Sequence, residues 1–165
     1  MKKITYLIFS FVLLILINGC AGYEPIFGSK KLQFRIADHS IEGSKILGNK
    51  IYSKLYGASQ PKKDDESVRN ISLYINASKD KNATSKDSSG KILEYKITLN
   101  IKVKVTDFAT NDKILNHTFI SSLTYDVQNQ YSDTVKLENT SIENLIDKTH
   151  QELLVKLSQN LIKLY

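Results

Sequence analysis

Cysteine is nearly absent from this chain: a single residue, Cys20, in 165. One thiol excludes an intrachain disulfide and a cysteine zinc cluster. Tryptophan is missing, and arginine occurs only at Arg35 and Arg69. A chain so poor in both is ill suited to reading nucleic-acid base edges. The three histidines, His39, His117 and His150, stand far apart, without the i, i+4 spacing of a helical metal site. A Gly-rich phosphate loop, a nucleophile elbow and a His-Glu motif are also lacking. The expectation is a binding protein, not an enzyme, with no catalytic residue and no metal ligand. What is present is ordinary: 41% hydrophobic and 24% charged residues, the composition of a globular domain. The length is enough for one self-sufficient core.

The N-terminus carries the plainest signal. Lys2 and Lys3 precede an almost unbroken apolar run from Ile4 to Ile17. That run is too short to span a bilayer but suits the h-region of a secretory signal. Leu16-Ile17-Asn18-Gly19-Cys20 follows and resembles the bacterial lipobox. In that pattern residues 1–19 are removed, and the new N-terminal Cys20 receives S-diacylglycerol and N-acyl lipid, the only non-protein group expected. The alternative is an anchor helix with an incidental cysteine. Three acyl chains hold a membrane far more firmly than one. Ala21, where Asp would favour inner-membrane retention in enteric-type bacteria, points to the outer membrane. Removing Lys2 and Lys3 lowers the formal charge from +6 to +4; the chain stays basic, which alone implies no ligand.

Residues 20–31 read as lipidated cysteine and tether, and 32–165 as one domain. Leu32, Phe34 and Ile36 alternate as a strand. Ser40 is a candidate N-cap for a helix from Ile41 to Tyr56, weakened by Gly43 and Gly48 and stopped by Gly57. Residues 57–68 form a polar loop. Arg69–Ala77 alternates, with Ile71, Leu73, Ile75 and Ala77 on one face. Residues 78–90 have no apolar side chain larger than Ala and read as a flexible loop. From Lys91 to Asp107, Leu93, Tyr95, Ile97, Leu99, Ile101, Val103 and Val105 fall at every second position, giving a long strand with one wet face. Asn111-Asp112 mark a turn. Lys113–Val127 returns, with His117 and Ser121 interrupting its apolar face. Thr140-Ser-Ile-Glu143 reads as a capping box opening an amphipathic helix to near the C-terminus. The predicted fold is α+β: a two-layer sandwich, two helices on one face of a roughly four-stranded, mostly antiparallel sheet. The first two strands flank a helix and are expected to pair in parallel.

Few residues suggest a site. His117 reads as a satisfied core or sheet-rim histidine, and His39, starting a helix, and His150 as surface. Lys62-Lys63 and Asp64-Asp65-Glu66 read as a solvated charge cluster. The wet face of the long strand carries Lys96, Lys102 and Lys104. They decorate an ordinary wet face, or they form a shallow cationic surface for phosphorylated lipid head groups, since ammonium groups bind phosphate as point charges.

The stretch Cys20-Ala-Gly-Tyr-Glu-Pro-Ile-Phe-Gly28 resembles the mature start of LptE-type LPS-assembly lipoproteins. Ile46–Tyr52 falls where that family has its first helix, and Glu94-Tyr95-Lys-Ile-Thr-Leu99 at the start of its long strand. Phe119, Tyr125 and the Leu-rich closing helix complete the order. Ala21 and the polar stretch 78–90 depart from the pattern. The resemblance implies a non-catalytic lipoprotein at the periplasmic leaflet of the outer membrane. Such a protein plugs the LptD-type β-barrel, assists its assembly and contacts lipopolysaccharide (LPS). If LPS is contacted, the wet-face lysines Lys96, Lys102 and Lys104, singled out above from the strand pattern alone, are the candidate contact. Another class remains open: an auxiliary lipid-binding lipoprotein of an ABC-type lipid transporter. That reading needs an apolar groove.

Overall fold

The computed structural model describes residues 34–59 and 68–162, all within one compact unit, Leu32–Tyr165. The signal segment 1–19, Cys20, the tether and the cluster Lys62–Glu66 lie outside the described residues. The elements run β1 (Phe34–Gly43), α1 (Lys45–Ala58), β2 (Arg69–Lys86), β3 (Ile92–Asp107), β4 (Lys113–Asp126) and α2 (Tyr131–Ile162). The strands form one sheet in sequence order; β1 and β2 are parallel and the other pairs antiparallel. Both helices cover the same sheet face, and the fold is the α+β sandwich expected from the sequence.

The alternation explains why the layers close. Ile71, Leu73, Ile75 and Ala77 of β2 and Ile97, Leu99, Ile101, Val103 and Val105 of β3 are almost fully buried. Leu47, Ile51 and Leu55 of α1 and Leu145, Ile146, Leu153 and Leu157 of α2 meet them. Each large aliphatic side chain so buried contributes about 1.5–3 kcal/mol. The opposite face is left to solvent: Asn100, Lys102 and Lys104 are exposed.

The N-terminal third corrects the sequence reading. Ser40, Ile41 and His39 belong to β1, not to the first helix, which starts at Lys45. Ala37 is skipped by the register, a bulge that returns His39 and Ile41 to the helix-facing side. Gly43 has φ +69° and lies against β2, where a Cβ would stand 2.3 Å from the Ala77 carbonyl oxygen. The adjoining Ser44 amide donates to that same oxygen at 2.7 Å. A strand thus becomes a helix within two residues, a turn only glycine makes without strain. Gly57 is helical. The chain leaves α1 at buried Ser59, whose amide and hydroxyl donate to the carbonyls of Leu55 and Tyr56.

Two further boundaries differ. Residues 78–86 are not a loop; β2 continues through them, paired with β3 as far as Lys86, before a tight turn at Asp87–Gly90. Backbone pairing to an apolar partner strand holds a segment whose own side chains would not. And α2 starts at Tyr131, so Thr140-Glu143 lies inside the helix and is no capping box. Its early turns are anchored by buried Thr134, whose hydroxyl accepts the Gln128 amide, and by Glu138.

Candidate functional site

The three lysines singled out by sequence are exposed on the open sheet face, and they do not form one cluster. Lys102 and Lys104 are two positions apart on β3. Lys102 is flanked by Asn76 and Thr118, and Lys104 by Tyr74 and Asn116. Lys96 sits between Asn82 and Thr124, six residues away, roughly 20 Å along the strand. Lys104 stands 5.1 Å over the Tyr74 ring. The Tyr74 hydroxyl donates to Glu42 at 2.5 Å, and the Asn76 amide reaches the same carboxylate at 3.5 Å. The open face therefore offers a cationic pair beside an aromatic ring, and one isolated cation. Around these groups it is hydroxyl- and amide-rich.

A second charged cluster escaped the sequence reading. The inward phase of β2 continues past Ala77 as Lys79 and Lys81. Both ammonium groups reach Glu138 of α2, at 3.1 and 2.6 Å. The Tyr125 hydroxyl donates to the same carboxylate at 3.1 Å, and Lys81 lies 4.2 Å over the Tyr95 ring. Burial alone would push the Glu138 carboxyl up. Hydrogen bonds from Lys81, Lys79 and Tyr125 outweigh it and hold the group well below its ordinary 4.5, at about 2. Burial likewise opposes charge on Lys81, but its bonds to Glu138 and Tyr125 prevail and its pKa is raised. The cluster locks the start of α2 to the far end of the β2–β3 hairpin. Its signal was legible: lysines in the inward phase of a strand, opposite a carboxylate four residues before half-buried Ile142 and seven before buried Leu145.

The histidines serve packing. His39 stacks on Tyr52 of α1 with ring centres 4.0 Å apart, and His117 packs edge-on to Phe119. His150, expected at the surface, is half-buried; burial first, then the nearby Lys54 charge, lowers its pKa. Ser121 meets Thr149 of α2 at 3.3 Å in the core, so its break in the apolar pattern is a hydroxyl pair across the layers. Glu143 and Asp147 bridge to Lys50 and Lys54 of α1. The matching order along both helices shows that they run in the same direction. Among the described residues no three His, Cys, Asp or Glu side chains are grouped to hold a metal, and no helix is long and apolar enough to cross a membrane.

No protein-family model matches the chain, and no curated protein matches it. Solved structures do. Rare lipoprotein B from Shewanella oneidensis superposes with a TM-score of 0.54 at 14% identity, over 77% of this chain and 98% of that one. A lipoprotein from Caulobacter crescentus gives 0.52 at 12% identity, over 81% and 93%. The minor lipoprotein from Acinetobacter baumannii gives 0.52 at 16%, over 74% and 91%. The chain has the fold of these lipoproteins. At such identities the likeness is one of fold, and it extends over almost the whole length of each of the three.

Proposed function

We propose that the protein is an outer-membrane lipoprotein of the LPS transport and assembly machinery. It is held by lipid on Cys20 at the periplasmic leaflet, where it plugs an LptD-type β-barrel and assists its assembly. It acts by binding, without catalysis. The observation that carries this reading is the shared fold with rare lipoprotein B and the other lipoproteins, together with the Leu16–Cys20 lipobox. The geometry supports it. One sheet face is left open and polar, and barrel lumens are polar and wet. An auxiliary lipid carrier would instead need an apolar groove, and the open face offers mainly hydroxyls, amides and lysines, with the exposed Ile120 standing among them and no groove around it among the described residues. LPS contact falls to Lys102 and Lys104 beside Tyr74, with Lys96 apart from them.

A plug is held by a broad surface, and stable interfaces bury roughly 1,200–2,000 Å² or more. A form with Cys20→Ser, secreted to the periplasm with the barrel, should still co-purify with it and shield lumen-facing barrel segments from protease. The lipid only raises the local concentration. If the soluble form melts cooperatively yet never recovers the barrel in mild detergent, the plug reading fails.

A further inference from the structure

From the groove between the start of β4 and the end of α2 we infer a binding site for a phosphorylated sugar. The groove is open and has a volume of about 290 Å³, near the lower limit for small-molecule sites. Its shape follows from a bulge. Val105 of β3 pairs with Leu115 and the next residue, Thr106, with Lys113, so Ile114 is left over. The extra residue lets both Ile114 and Leu115 turn inward, to 6% and 5% exposure, and re-aims the strand beside them. Both residues border the groove but show little surface to it, and the lining is mainly polar.

Its walls are cationic and amide-bearing. β4 supplies Lys113, Asn116 and His117; α2 supplies Lys156, Gln159 and Asn160. The last three are spaced i, i+3, i+4 and so share one helix face. Among the described residues no carboxylate lines the groove. Lys113 and Lys156, like Lys45, Lys86, Lys91, Lys96, Lys102, Lys104 and Lys148, join no ion pair among the described residues; what sets the two apart is that they border one groove. Asp112, beside Lys113, accepts from the Thr110 hydroxyl instead. Two uncompensated ammonium groups at one groove suit a phosphate, which takes point-charge donors in any orientation. Three primary amides, each both donor and acceptor, suit the vicinal hydroxyls of a sugar. The C-terminal end of α2 places a partial negative charge nearby, which opposes an anion. The lysines must outweigh it, and binding is accordingly weak. The inference does not rest on the plug reading, and the site is distinct from Lys96, Lys102 and Lys104.

The same sugar phosphate can be free or carried on a glycolipid, and the test has an arm for each. The full chain in detergent is titrated with glucose 1-phosphate, inorganic phosphate and glucose, following the side-chain amide NMR signals. Glucose 1-phosphate should bind tightest and shift Asn116, Gln159 and Asn160. Lys113→Gln with Lys156→Gln should weaken it by about tenfold or more, while Lys102→Gln with Lys104→Gln should not. Asn160→Ala should narrow the preference for glucose 1-phosphate over inorganic phosphate. In the second arm, vesicles doped with lipid A are added. Competition with glucose 1-phosphate supports a glycolipid head group as the occupant, and its absence supports the free sugar phosphate. Equal binding of glucose 1-phosphate and inorganic phosphate would overturn the sugar specificity. Unchanged binding by a Lys113/Lys156 double variant that melts cooperatively would overturn the site.

Discussion

Gly48 of α1 sits directly on Ile41 of β1: a Cβ on Gly48 would stand 2.3 Å from Ile41 Cγ2. The helix therefore lies closer to the edge strand than any side chain at position 48 allows. That close approach brings Tyr52, one turn on, over His39.

Gly48→Ala should consequently destabilise the fold, although alanine is the better helix former by about 1 kcal/mol. Overpacking of this kind costs about 1–3 kcal/mol, and the stiff β-branched Ile41 yields little. A net loss of about 1–2 kcal/mol in urea unfolding is expected. Adding Ile41→Ala should recover part of it, because the two sites are in contact and their effects do not add. Additive losses would show that the helix shifts freely instead.

The Lys79–Glu138–Lys81 cluster makes stability depend on acid. Glu138 has its carboxyl lowered from 4.5 to about 2. Its contribution is therefore complete above about pH 4.5 and is lost as the pH falls towards 2. The lysines are about one-third exposed, which limits the contribution to about 1–2 kcal/mol. Glu138→Gln should lower the midpoint of urea unfolding at pH 7, and the gap from wild type should close by pH 2–3. A gap that persists at low pH would assign the loss to packing, not to charge.

Much of the fold was legible because one face of each strand is apolar. The inward phases of β3 and β4 follow the sequence alternation closely, including His117 and Ser121. The misread stretches are those where polar side chains do structural work. Residues 78–86 have no apolar inward face, because Lys79 and Lys81 use Glu138 as their partner across the layers, and that partner lies far away in sequence. The first turns of α2 were missed for the same reason: Thr134 and Glu138 anchor them by hydrogen bonds. In β1 the bulge at Ala37 shifts the alternation by one residue, so the strand's second half mimics the start of a helix. The candidate lysines were placed on the correct face, but their separation into a pair and a single residue follows from strand geometry, and their link to Tyr74 and Glu42 from pairing with β2.

Acylation at Cys20 has a direct readout. Intact-mass analysis of membrane-extracted protein should show a chain beginning at Cys20 and carrying three acyl chains. Cys20→Ser should lose the acyl mass and, with residues 1–19 exchanged for an ordinary cleavable secretory signal, should leave the membrane fraction, because the acyl chains are the anchor this reading assigns. An N-terminus at Met1, or a free Cys20 thiol, would remove the lipoprotein assignment.

The open sheet face sets the last expectation. If Lys102 and Lys104 hold a phosphate of LPS, they act together. Adjacent inward and outward positions alternate along β3, so residues two apart project from the same side, about 7 Å from one another. Lys96 is roughly three times as far from Lys102 and cannot share one phosphate with it. Lys102→Ala with Lys104→Ala should therefore weaken LPS binding markedly, and Lys96→Ala only slightly. The wild-type affinity should fall as salt is raised, since exposed charges are screened over about 8 Å at physiological ionic strength. The Lys102/Lys104 variant should show a shallower salt dependence. Tyr74→Leu should reduce binding less than the lysine pair does, because the ring supports Lys104 without carrying charge. Equal binding by the wild type and the Lys102/Lys104 variant at low salt would remove this face as the LPS contact, and would leave the fold-based plug assignment to be judged on barrel co-purification alone.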